Sequence, residues 1–468
     1  MTRHRGGSAR LAYYLFVFLL CPNLSSAASI NLSQWIVQHG GVVGDMELAT
    51  DPVSGNRGWS ARNALTGGLR LDQGLMLLLP SKLIFSASTV RSNYASDVIY
   101  LLQQSNTRIA DDHFVIIVIG WMLERARGKF SFWAPCIDLV SSDQQFSHLP
   151  RNPFVEMPDL AGLSPYYTIA LQMERQKILD IFAELEEVLF TRLPLLHSLT
   201  QKDRKALFVW AYLFQLSHGI VGSPDGQDGH AQEMMLCGMN FLNHHKNARP
   251  AGPVSIDNQP FWGFFITQDH EVGEDIFTSY DSPLPGRKVH CNTDLFFRYG
   301  FVVGEEKERD CFHVTIFPDD IPGAFELGPA GQMCRPEHTI PSMLTAGAIV
   351  LQDPINVTSI NLYSLDSPRA CTYHLLLAVF RREYHQIVRD GRHRLEVPPR
   401  YHDDIRNRTR QVEVQLGYIL RGQLRVLGNS ILELQSVLSG LAATGQYYRT
   451  LLEQPGMFQP HGQEPTFA

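Results

Sequence analysis

Asn292-Thr293-Asp294-Leu295-Phe296-Phe297-Arg298-Tyr299-Gly300-Phe301 is the stretch on which the reading of this chain turns. It opens on Asn-Thr-Asp-Leu and closes on Tyr-Gly-Phe, and each piece is weak alone. Two further elements lie upstream, Asn243-His244 and Tyr280. Aromatic residues are most often core packing, yet aromatic faces also favour an ammonium-like group. The order of the three elements and the frame around them decide between those fates.

Working outward, the composition is that of an ordinary globular protein, with 44% hydrophobic and 19% charged residues. A length of 468 residues predicts two or three domains. Acids outnumber Lys and Arg by 47 to 40, a net charge of −7, with no basic run. That balance argues against a nucleic-acid partner. Of the seven cysteines, Cys21 lies in the apolar leader and six remain: Cys136, Cys237, Cys291, Cys311, Cys334 and Cys371. No CxxC spacing occurs, so no metal site is expected.

The N-terminus reads as an export signal over residues 1–28. Arg3, Arg5 and Arg10 precede the apolar run Leu11 to Cys21, and small residues follow Pro22. The run is too short to span a bilayer comfortably, so no stable membrane span is expected once it is removed. The expected location is the secretory pathway or an organelle reached through it. A short uncleaved anchor, or a cytoplasmic protein with an unused signal, stays open. Three glycosylation sequons begin at Asn31, Asn356 and Asn407.

Along the chain, Trp35, Ile36 and the Gly40-Gly41 pair suggest a short helix stopped by glycine. Ser54 to Trp59 reads as a turn between strands, and Leu75 to Leu79, closed by Pro80, as a buried strand. Asp111-Asp112 open a helix over Phe114 to Arg125. From about residue 165 the period turns helical through Ile178, Phe182 and Leu185. Thr200 and Asp203 then cap a second helix reaching about Leu216. Gly222 to Gly229 reads as a solvated loop. Residues 233–302 read as short strands and turns, with another strand at Val314 to Phe317. Past about 335 the chain reads as helical, including one long helix with an apolar stripe from Val412 to Leu438, and the last dozen residues as a loose tail.

Strands, helical insert, strands and helical tail, carrying these motifs, resemble the SET-domain methyltransferases of the Rubisco large-subunit methyltransferase-like branch. That branch also contains an actin-histidine methyltransferase. The similarity runs from the Trp-Ile…Gly-Gly opening at Trp35 to Gly41 as far as the 430s. It takes in Arg57-Gly58-Trp59, Leu75 to Pro80, Ser131-Phe132-Trp133-Ala134-Pro135, Leu149-Pro150, and Trp210-Ala211 with Ser217. It then takes in Asn243-His244, Tyr280, Asn292 to Leu295 and Tyr299-Gly300-Phe301.

The resemblance implies an α+β protein: a SET fold of short β-sheets with knot-like C-terminal threading and a helical insert, then an all-α domain. The implied parts are a SET N-terminal part at 29–165, the insert at 166–232, a SET C-terminal part at 233–305 and a helical substrate-binding domain at 335–455. It further implies S-adenosyl-L-methionine as cofactor, a protein substrate methylated on lysine or histidine, and a monomer. Gly58, Trp59, Leu75, Met76, His218, Asn243, His244 and Tyr280 would form the cofactor cradle. Tyr280 would be the catalytic group, and Asn240, Tyr299 and Phe301 would line the substrate channel.

Four positions depart from the family pattern. His218 stands where an arginine helps hold the cofactor, and histidine cannot make a bidentate contact to a carboxylate. Asn240 replaces an aspartate, Asn56 a glycine, and Gly74 an acid ahead of the strand beside the cofactor. The departures leave a second reading open: a weak or inactive SET-fold protein that binds a partner. A secreted structural module is a third.

Overall fold

The computed structural model describes residues 31–50, 57–68, 73–105, 108–140, 146–158, 160, 163, 165–223, 232–245, 247–281, 290–303, 311–314, 325–326, 333–334, 349–352, 380–381, 383–391 and 408–443. The expected signal, Asn56, most of the Gly222 to Gly229 loop and the tail beyond 443 lie outside the described residues. The fold is α+β, short and mostly antiparallel sheets beside a buried helix.

Helix Leu32–Gln38 is capped by Asn31, whose side chain accepts from the Gln34 amide at 2.8 Å, and the chain leaves it through Gly40 at φ +77°. Strands β1 (Val42–Val43), β4 (Leu75–Pro80), β10 (Gln259–Phe265) and β9 (Gly252–Ile256) form one sheet in that order. A second sheet runs β2 (Met46–Thr50), β3 (Arg57–Ala61), β11 (Asp275–Thr278) and β8 (Asn243–His244). A third joins β5 (Ile84–Ser86), β7 (Gln232–Leu236) and β6 (Ile220–Gly222).

Helix His113–Arg127 is the core element. Asp112 caps it by accepting from the Val115 amide, and ten consecutive residues from Val115 to Glu124 are buried. Phe85 stacks on Trp121 with ring centroids 3.8 Å apart, and Trp133 packs edge-on against both. Gly120 permits this: a Cβ there would meet Phe85 Cζ at 2.8 Å. Buried Glu124 accepts from the Ser131 hydroxyl at 2.6 Å and from Tyr94, and Ser131 Oγ in turn accepts from the Trp133 amide. The Ser-Phe-Trp motif is thus a polar corner that seats Trp133.

The helical segment consists of Pro165–Leu185, a π-helical turn at Glu186–Phe190, and Gln201–His218. Thr200 Oγ1 accepts from the Asp203 amide at 3.2 Å, and Asp203 turns its carboxylate back onto that hydroxyl. Arg204 and Glu186 form a nearly buried ion pair between the two helices.

Several expectations need correction. Arg57, Gly58 and Trp59 are not in a turn but in β3, because they pair with Thr50, Ala49 and Leu48. Asn292–Tyr299 is an α-helix, not strand and turn: Gly300 ends it in the left-handed conformation, its amide bonded to Phe296 O at 2.9 Å. Beyond residue 335 the chain is not helical throughout. Ile349–Gln352 pairs antiparallel with Cys311–Val314, which shares only Val314 with the strand expected at 314–317; the rest of that expected strand lies outside the described residues. Helix Arg408–Ala443 follows, with Leu416, Leu420, Leu427 and Leu434 fully buried. Among the described residues no helix is long and apolar enough to cross a membrane.

Candidate functional site

The site grows from the second sheet. β11 lies between β3, which it meets antiparallel (Ile276 opposite Trp59), and β8, which it meets parallel (Phe277 opposite Asn243, Thr278 opposite His244). That order brings Gly58 against the Asn-His pair: a Cβ at Gly58 would stand 2.5 Å from Asn243 Nδ2. The Asn243 carboxamide therefore packs directly on the bare Gly58 backbone, an approach that only glycine allows, and two of the expected cradle residues come together.

Tyr280 follows β11 and is held twice. Its amide donates to His244 Nδ1 at 3.0 Å, which puts the proton of a neutral His244 on Nε2. Its hydroxyl donates to Leu242 O at 3.0 Å. Around its ring stand Tyr299 with centroids 4.8 Å apart, His244 at 5.1 Å and Phe301 at 6.2 Å. Burial, with Tyr299 adding to it, pushes the Tyr280 phenol well above its ordinary pKa, and burial does the same at Tyr299. Both phenols are neutral at physiological pH. The result is an aromatic enclosure with one tethered hydroxyl.

Four further residues shape this enclosure, and three of them, Arg298, His148 and Gln415, were given no role in the sequence analysis. Asn292 folds the Tyr-Gly-Phe segment back onto its helix: its side chain accepts from the Val303 amide at 2.9 Å and donates to Val303 O at 3.2 Å. Arg298 Nε donates to Leu216 O at 2.8 Å, tying that helix to the end of Gln201–His218. His148 presses on Gly300, where a Cβ would meet its Nε2 at 3.1 Å. Buried Gln415, from the long C-terminal helix, donates to Gly300 O at 3.1 Å. The C-terminal helix therefore touches the backbone between Tyr299 and Phe301. Asn292 was quoted as part of a motif, but nothing local to the sequence marks the other three.

Other expected residues sit differently. The Trp59 ring is fully buried and its Nε1 donates to Gly238 O at 2.7 Å, so its side chain braces the cradle and has no face open to a ligand. Leu75 and Met76 belong to the first sheet, where Met76 O accepts from Gly44 and Leu75 lies opposite Phe265. Among the described residues no hydrogen bond or ring contact joins them to Asn243 or Tyr280. Asn240 Oδ1 accepts from the Gly238 amide at 2.9 Å, while its Nδ2 is buried with no hydrogen-bond partner among the described residues. An orphaned donor one turn before Asn243 fits a bound polar group. Gly74 has φ +73° and a Cβ there would strike the Gly68 backbone, which is why no acid stands at that position.

His218 Nδ1 lies 2.7 Å from Ser217 Oγ, and its ring packs among Phe146, Phe214 and Phe241. Burial, aided by neighbouring His148, pushes its pKa down to about 4. An exposed histidine titrates near 6.5. As pH falls, the unfolded chain therefore takes the proton first, so His218 contributes its full stability above pH 6.5 and none by about pH 4. At about 1.4 kcal/mol per pH unit the whole difference is about 3 kcal/mol. Partial exposure of the ring lowers the expected loss to about 2 kcal/mol. Urea melts of wild type and His218→Gln at pH 7.5 and 4.5 check this: the wild type should lose the larger share of stability.

No protein-family profile and no curated protein matches the sequence. Solved structures do match. The SET domain of LSMT bound to lysine and AdoHcy aligns with a TM-score of 0.60 at 14% identity, covering 92% of this chain and 96% of that one. Rubisco LSMT bound to sinefungin and monomethyllysine aligns over the same shares with a TM-score of 0.55 at 13% identity. Rubisco LSMT bound to AdoMet does so with a TM-score of 0.56 at 13% identity. The chain is a SET-fold protein. Within that class its architecture is of the LSMT type.

Proposed function

We propose that this chain is an S-adenosylmethionine-dependent protein N-methyltransferase acting on a lysine side chain, with histidine as the second candidate target. The carrying observation is the tethered Tyr280 inside its aromatic enclosure, a few residues of sheet away from Gly58 and Asn243. LSMT, the structural neighbour, binds AdoMet and lysine, and this supports the reading.

When bound, the sulfonium supplies an already activated methyl group, so the protein's task is alignment. Gly58, Asn243 and His244 would hold the donor, with the free Asn240 Nδ2 as a further contact. Tyr280 spends its proton on Leu242 O, which leaves its oxygen lone pairs to accept an N–H from the incoming amine. Its raised pKa keeps it neutral, so it orients the amine and does not act as a base. The amine arrives neutral, having lost its proton to solvent. The faces of Tyr280, Tyr299 and Phe301 would exclude water and favour the positive charge that develops on the nitrogen as the methyl group arrives.

Calorimetry of the purified chain with S-adenosylmethionine tests the reading, with one-to-one binding expected. Absence of heat at millimolar donor would sink it. One observation favours a second reading, a partner-binding SET protein without catalysis. His218 is uncharged and packed among aromatic rings where the family has an arginine. If that reading holds, wild type fails to bind and His218→Arg creates binding.

A further inference from the structure

We propose that the disulfide between Cys136 and Cys237 is an oxidative lock on the donor cradle, so that the chain becomes binding-competent only where thiols are oxidised. The inference rests on the reading of Gly58, Asn243 and Tyr280 as a donor site.

The two cysteines are 101 residues apart in sequence, with Cα atoms 5.8 Å apart, and both are fully buried. That separation suits an unforced bridge. Cys136 sits in helix Ala134–Ile137, which runs on into the turn Asp138–Val140. This segment is firmly seated: Trp133 packs into the core at its start, and Trp210 Nε1 donates to Val140 O at 2.8 Å at its end. In the same turn Leu139 O accepts from the Arg57 guanidinium. One wall of the cradle, the strand that carries Gly58, is therefore tied to residues 134–140 by a hydrogen bond.

The other wall is tied there covalently. Cys237 is followed by Gly238, which accepts the Trp59 indole proton. Then come Asn240, the Leu242 carbonyl that takes the Tyr280 hydroxyl, and Asn243. Besides the bridge, this segment is held by β7 before it, by the Trp59 and Tyr280 hydrogen bonds just named, by buried Met239, Phe241 and Leu242, and by a two-residue parallel pairing with β11 after it. The bridge is its one covalent tie to residues 134–140. A cross-link that closes a loop of this length removes much freedom from the open ensemble. A donor held in line with an amine tolerates little of that freedom.

Closure oxidises two thiols to one disulfide. The two electrons and two protons pass to the disulfide of a thiol-disulfide oxidoreductase or of oxidised glutathione, which leaves as thiols. The sulfurs are buried, so closure belongs to folding and the lock is set once. Cys291 is also disulfide-bonded, so all three cysteines with described side chains are oxidised. Such bridges are rare in a reducing cytosol. They agree with the export signal read over residues 1–28 and disfavour the cytoplasmic alternative.

The test uses the full chain from an oxidising expression host and a Cys136→Ala/Cys237→Ala variant. Peptide mapping without reduction should find residues 136 and 237 linked. In the variant, amides 238–244 should exchange at least tenfold faster while helix Arg408–Ala443 keeps its protection, and the donor dissociation constant should rise at least tenfold. Free thiols at both positions in wild type, or equal exchange in the two proteins, overturns the lock. If wild type binds no donor, the methyl-donor reading falls and the exchange comparison alone decides the lock. Should the variant not fold, the same comparison is made with Cys136→Val/Cys237→Ala, which refills much of the volume of the two sulfurs.

Discussion

Gly58→Ala should weaken S-adenosylmethionine binding about 100-fold, about 2.7 kcal/mol, while leaving the fold intact. The two effects separate because of what the new methyl meets. It would stand 2.5 Å from Asn243 Nδ2 and 3.5 Å from Asn243 Cγ, with the Phe241 carbonyl no nearer than 3.9 Å. The crowded atom is the end of a side chain, which can swing aside at little cost to stability. In swinging it abandons the position from which it would hold the donor, and the methyl occupies part of the cradle. Gly58 lies in an ordinary strand conformation, so alanine adds no backbone strain, and its lower unfolded-state entropy offsets some of the crowding. The melting temperature should stay within about 4 °C of wild type.

Gly74→Ala supplies the contrast. There the obstacles are the Gly68 backbone and Ile266 O, and φ is +73°, so stability is lost before binding is in question. Calorimetry with thermal melts on both variants checks the pair. A Gly58→Ala protein that binds donor like wild type would remove Gly58 from the cradle.

How much of this was legible in the sequence depended on how local each cause is. Asp112 and Thr200 announce their helices because a cap acts within three residues. The run Leu75 to Pro80 reads as a buried strand because burial on both faces needs no partner's identity. Asn292–Tyr299 misled because its Leu-Phe-Phe core suits either state; Gly300 and the packing of Gln415 and Arg298 decide it. Trp59 was expected in the cradle together with Gly58, as the resemblance implied. Alternation along a strand sends adjacent side chains to opposite faces, and the indole goes to Gly238. The Cys136–Cys237 bridge spans 101 residues with no local spacing to reveal it. Asn243, His244, Tyr280, Tyr299 and Phe301 were therefore readable as an ordered set that the fold brings together, whereas Leu75, Met76 and Trp59 fall outside it and the contacts of all of them were not readable.

The second large effect is expected at Tyr280. Tyr280→Phe should lower the methyl-transfer rate about 10³-fold, about 4 kcal/mol in the barrier, while donor affinity changes less than threefold. Phenylalanine keeps the ring that packs on Tyr299 at 4.8 Å and His244 at 5.1 Å, and the backbone amide still reaches His244 Nδ1. Only the hydroxyl is lost, and with it the acceptor that would aim the amine. Leu242 O loses its donor as well, which costs about 1 kcal/mol of stability unless water replaces it. Tyr299→Phe is the control, since it removes a phenol from the same enclosure without touching the Leu242 tether. It should raise the substrate KM more than it lowers kcat. The pH profile separates orientation from base catalysis. The Tyr280 phenol is held neutral by burial, so wild-type activity should rise with pH as the free amine does, with no inflection from Tyr280. Equal loss in both phenylalanine variants would mean that the enclosure acts through its rings alone. Retention of wild-type rate by Tyr280→Phe would move the orienting role to another group.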